Sequence, residues 1–202
     1  MASVFWIESF ATQRGLRYEP EADERWLRAW EPYTTLKTPI RYEHALHATG
    51  GAGSLSLARA VVEVPLPSTP PSDRPGAVAR QVATWIAIVQ DVRVAVKCAV
   101  TNDFSGIFSE QLDLVPLARR ATRDATFDHS FATYAGSDED VAKGVTPSLR
   151  RLLLSWRTPV HAELRPGGFV LAPIAVPADQ QGLAWLLSAI TLFGEKATKL
   201  TT

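Results

Sequence analysis

Residues 92–101 alternate with a period of two: Val92, Val94, Val96, Cys98 and Val100 stand between Arg93, Ala95, Lys97, Ala99 and Thr101. Only an extended chain carries alternate side chains to one face, so this segment predicts a strand with one side buried. A strand needs partners, and the sequence offers several. Residues 82–89 are almost continuously apolar, as in a central strand, and Gln90-Asp91 can form a tight turn into residues 92–101. Residues 40–46 alternate, a Gly-rich turn follows at 49–53, and residues 55–64 return, which predicts a hairpin. Residues 160–165, the turn Pro166-Gly167-Gly168 and residues 169–175 predict a second one. Residues 127–134 also read as a strand.

Helical spacing appears elsewhere. Val4, Ile7, Phe10 and Ala11 share a face of residues 3–14, with Ser3 as a cap and Gly15 to end the helix. Residues 21–30 place Trp26 and Trp30 four apart before Pro32. Residues 137–143 and 147–156 follow the same pattern, the second with Thr146 as cap and Pro147 at the first helical position. Residues 177–199 carry the apolar stripe Leu183, Leu186, Leu187, Ile190, Phe193 and Ala197. Residues 109–120 read as loop with a short helix broken at Pro116. The expected fold is α+β: a mainly antiparallel sheet of about six or seven strands with helices packed on one face.

Pro65, Pro67, Pro70, Pro71 and Pro75 crowd residues 65–76 and exclude ladder bonding there. Strand-like sequence on both sides makes this a long loop within one sheet, so residues 1–202 are expected to form a single domain. Two stretches echo each other. Each runs from a tryptophan-bearing helix through Thr-Pro into a hairpin with a Gly-Gly turn, at residues 30–65 and 156–177. The echo is either an internal helix–hairpin duplication or the coincidence of a common motif.

Charge excludes more than it suggests. The 202 residues carry 21 basic and 21 acidic side chains, so no basic excess points to nucleic acid. Near-neutral charge leaves little repulsion against self-association. One cysteine cannot build an internal disulfide, which suits a reducing cytoplasm. The first residues lack a basic stretch before their apolar run, and the apolar stretch at 182–194 is too short to cross a bilayer. Neither secretion nor membrane insertion is expected. Frequent Arg, Ala and Pro are a compositional association with bacteria of GC-rich genome.

No motif announces catalysis. Asp128-His129-Ser130 holds the residue types of a hydrolase triad, but on a strand neighbours point to opposite faces, so a packed histidine is the expectation. His44 and His47, three apart on a strand, cannot share a metal ion, and Glu43 is expected to pair with His47. His161 and Glu163 share a face and could orient a general base, although a solvent-facing ion pair is the default. Cys98 should be a buried hydrophobe. Arg119, Arg120, Arg123, Arg150 and Arg151 are the basic clusters, expected to be solvated. No Gly-x-Ser-x-Gly elbow or phosphate-binding loop is present. If the chain is an enzyme, the catalytic candidates are His44, Asp128, His129 and His161; no metal or cofactor is expected.

Six tryptophans are more informative. Trp6, Trp26, Trp30 and Tyr33 fall on short N-terminal helices that must dock on the sheet or on another chain, so they are the interface candidates. The expected function is a non-catalytic interaction or assembly module, homo-oligomeric or bound to a protein partner. The alternative is a small-molecule binding protein or unusual hydrolase with a pocket between sheet and helices.

Overall fold

The computed structural model describes residues 5–23, 25, 30, 39–50, 53–65, 79–102, 117–174 and 176–198. In chain order these form α1 (Phe5–Gln13), β1 (Arg17–Glu21), β2 (Arg41–Gly50), β3 (Gly53–Pro65), β4 (Ala79–Gln90), β5 (Cys98–Thr101), β6 (Ala118–Arg120), α2 (Ala125–Ser130), β7 (Ala132–Ala135), α3 (Asp138–Gly144), α4 (Pro147–Ser155), β8 (Val160–Arg165), β9 (Gly168–Pro173) and α5 (Gln180–Thr198). All nine strands join one sheet in the order β1-β2-β3-β4-β9-β8-β5-β7-β6. Every neighbouring pair is antiparallel. The α+β class with an antiparallel sheet therefore holds.

The strand count exceeds the expected six or seven because both edges were illegible. β1 reads Arg-Tyr-Glu-Pro-Glu and β6 spans three residues, so neither carries an apolar period. Short, charged, proline-bearing strands are what a sheet edge tolerates, since they discourage pairing with other chains.

Three segments depart from their predicted form, the first being residues 118–120, read as part of a loop and short helix and found as β6, while residues 109–116 lie outside the described residues. Residues 127–134 are not one strand. Asp124 caps α2 by accepting from the Phe127 amide, and the chain turns extended only at Phe131 before β7. Phe127 and Phe131 are four apart and both buried, a helical spacing that also mimics alternation. Within residues 92–101 only β5 is in the ladder. Residues 92–97 keep their alternating burial, but their bonds go to the β8–β9 turn: the Val92 amide donates to the Gly167 carbonyl, and the Gly167 amide to that of Val94. The period reported a half-buried extended chain, not a hydrogen-bonded one.

Both hairpins form, β2–β3 and β8–β9, and they lie on either side of β4. Strand direction alternates across the sheet, so β2 runs parallel to β8 and β3 to β9. A twofold axis normal to the sheet would reverse them and is excluded, whereas one lying in the sheet along β4 would keep their directions. Residues 66–78, where most of the proline-rich loop falls, lie outside the described residues; the strands flanking them pair directly from Ser54↔Gln90 to Pro65↔Ala79. The helix predicted at 21–30 also falls largely outside, and Glu21 belongs to β1.

Two apolar clusters use alternate residues of the same strands. Leu46, Leu57, Trp85, Phe169 and Leu171 share one with Leu183, Leu186, Ile190 and Phe193 of α5 and Leu149 and Leu153 of α4. Ala58, Ala60, Ile86, Ile88, Val170 and Ala172 form the other. The central strands are thus buried on both faces, which explains the unbroken apolar run at 82–89.

Candidate functional site

Among the described residues, the candidate side chains fall in four places. The first is the β2 bulge. The β2–β3 register shifts between Glu43 and Leu46, and His44 adopts a positive φ of 52°. The bulge turns His44 toward β1, where its Nδ1 lies 3.0 Å from the Tyr18 hydroxyl. Burial pushes the His44 pKa below its ordinary value, opposed by the charge of Glu43 and assisted by Arg59. His47 instead bonds Ser56 Oγ at 2.6 Å and faces Glu19 at 3.4 Å. The expected Glu43–His47 pair is absent: Glu43 pairs with Arg41 at 2.8 Å and Arg59 at 3.7 Å, because the bulge separates its register from that of His47.

The second place is α2. On this helix Asp128 and His129 are successive residues about 100° apart, so the helical correction still gives no dyad. Asp128 accepts from the Thr122 amide at 3.0 Å and the Thr122 hydroxyl at 2.8 Å, while His129 is exposed. Arg150 completes the surroundings, pairing with Asp124 at 3.2 Å and donating to the Thr122 and Val145 carbonyls. Arg120 similarly holds Asp138 at 2.9 Å. Two of the five cluster arginines thus tie elements together.

The third place is the face of β8. His161 and Glu163 were expected in solvent and are instead completely buried, with Nε2 and Oε1 2.8 Å apart. The other Glu163 oxygen accepts from Arg165 Nε at 2.8 Å. Arg165 extends the same face, and its guanidinium lies 5.6 Å from the Trp30 ring centroid. The cause is position: β8 sits between β9 and β5, with Val170, Ala172 and Ala99 on the same side. Spacing put the three side chains on one face, yet nothing in it revealed that the face is closed. Cys98, on the opposite face of β5, is buried as expected. Burial first, then the charges of Asp140 and Glu163, push its thiol up to about 12.

His44 on β2 and His161 on β8 are four strand spacings apart, about 19 Å. None of the four catalytic candidates shares a bond with another. Among the described residues, no group of three or more His, Cys, Asp or Glu could hold a metal ion.

The fourth place surrounds the start of α5 and has open concavities. One, of about 410 Å³, is lined by Arg157, Thr158, Pro177, Asp179, Gln181 and Trp185, among others. Its neighbour shares Asp179 and Gln181 and adds Trp6. Trp185 meets Trp156 edge-on at 5.8 Å, and Trp156 leans on Phe193 at 6.5 Å. Of the interface candidates, Trp6 is half-buried beside the 80% exposed Phe5, and Trp30 packs over Arg165 within the fold. Trp26 and Tyr33 lie outside the described residues. Trp185 and Arg157 were missed as a pair because the bend between α4 and β8 and that before α5 bring them together from residues far apart in sequence.

No protein-family model matches the chain, and no curated protein matches it. Among solved structures it is similar to the crystal structure of the mycobacterial trehalose monomycolate transport factor A, TtfA. The TM-score is 0.60 at 9% identity, over 95% of this chain and 92% of that one. At that identity the likeness is one of fold. No helix among the described residues is long and apolar enough to cross a membrane.

Proposed function

We propose that this chain is a non-catalytic interaction module of the bacterial cytoplasm that associates with a second copy of itself through the exposed end of α1. The observation that carries the reading is Phe5, 80% exposed beside Trp6, which lines an open concavity with residues 178–181. Aromatic side chains are among those that most often anchor a protein contact. Net charge of zero leaves little to oppose approach of a second copy. In this reading the helices cover one face of the sheet, and their outer surface is what the partner meets. The single buried thiol fits a reducing compartment. The fold shared with a protein named as a transport factor supports a binding role.

The hydrolase alternative draws on His44, Asp128, His129 and His161, and each of these has its own separate surroundings. Light scattering coupled to size exclusion tests the proposal. At high micromolar concentration the protein should weigh twice its 22.1 kDa chain mass, and Phe5→Glu should return it to monomer without loss of fold. A wild-type protein that stays monomeric overturns the assembly reading.

A further inference from the structure

We infer that the pocket between the α4–β8 bend and the start of α5 binds a neutral sugar ring. Its volume, about 410 Å³, lies in the range of small-ligand sites. Trp185 supplies a flat apolar wall, and the edge-on contact with Trp156, itself against Phe193, holds that wall in place. Around the indole stand one cation, one anion, one amide and one hydroxyl: Arg157, Asp179, Gln181 and Thr158.

Their bonding leaves capacity facing a ligand. Arg157 is exposed and has no partner among the described residues. Asp179 spends one oxygen on the Gly182 amide at 2.7 Å, which fixes the carboxylate and leaves the other oxygen to accept. Thr158 donates its hydroxyl proton to the Ile174 carbonyl, so its oxygen can only accept from a ligand. Arg157 and Asp179 line one cavity without pairing to each other, so the site has no net charge to favour an anion or a cation. A flat apolar wall rimmed by fixed donors and acceptors matches a sugar ring, whose axial C–H face is apolar and whose edge carries hydroxyls that both donate and accept. A planar heterocycle would use the wall but not this rim.

Saturation-transfer NMR tests the assignment with glucose, maltose and trehalose at millimolar concentration, adenine serving as the planar control. Transfer should reach the ring C–H protons of at least one sugar. Trp185→Leu should weaken binding about tenfold or more. Arg157→Ala, a surface change that leaves the fold intact, should weaken it as well, and Phe5→Glu, which should return the protein to monomer, should not abolish it, although the two sites share Asp179 and Gln181. No transfer to any sugar, transfer unaffected by Trp185→Leu and Arg157→Ala, or transfer to adenine alone would each overturn the proposal.

Discussion

The two hairpins on either side of β4 carry the same polar chemistry and put it to different uses. On β2 and β3, Arg41, Glu43, His44, His47 and Arg59 are half-buried or exposed, and their pairs are individually satisfied at the rim. On β8, His161 and Glu163 are completely buried, and Arg165, 15% exposed, closes the end of the line. Strand spacing is equal in both. What differs is the neighbours: β2 has only the short β1 between it and the sheet edge, whereas β8 lies inside with apolar residues beside it. Polar residues at period two show that they share a face. Only the sheet order decides whether that face is wet, and hence whether breaking the set costs much or little.

The sharpest way to break this comparison is to remove one carboxylate from each set. Glu163→Gln leaves Arg165 and His161 facing a neutral group inside the protein, and should cost about 3–5 kcal/mol in urea unfolding. Glu43→Gln, at a screened rim site, should cost less than about 1 kcal/mol. Equal costs would mean that β8 is as wet as β2.

A smaller contrast comes from the hairpin glycines. A Cβ on Gly168 would stand 2.2 Å from the Val89 carbonyl oxygen and 2.9 Å from the Trp30 ring, whereas one on Gly50 would meet nothing within 4 Å. Gly168→Ala should therefore destabilise by about 1–3 kcal/mol, and Gly50→Ala should stay within about 0.5 kcal/mol of wild type. Thermal unfolding of the two variants checks this.

The smallest effect concerns pH. The His44 pKa lies below its ordinary value of 6.5 because burial favours the neutral ring. Its contribution to stability is thus intact above 6.5 and is lost as pH falls through the lower folded value. Ring-proton NMR should show His44 titrating below its ordinary value of 6.5; titration at or above 6.5 would place His44 in solvent.

Much of this architecture was legible. The hairpins, the capped helix at Thr146 and the α5 stripe follow from local rules, since turn glycines, caps and apolar periods act within a few residues. What escaped was set by distant partners. Residues 92–97 kept their period but lost the ladder, because only the β8–β9 turn reaches them. Phe127 and Phe131 satisfied two periods at once, and the Asp124 cap decided between them. Trp6 lies half-buried beside an open concavity. Trp30, drawn in by Arg165, and the pocket walled by Trp185 depend on contacts that no local pattern encodes.

On β8, His161 and Glu163 are closed off from solvent. Exchange of histidine ring C2 hydrogens for deuterium, followed by mass spectrometry over days, measures that sealing directly. His129 should exchange readily and His161 should remain protected until the protein unfolds. Comparable rates at His161 and His129 would show that solvent reaches the buried line, and would return β8 to consideration as an active site.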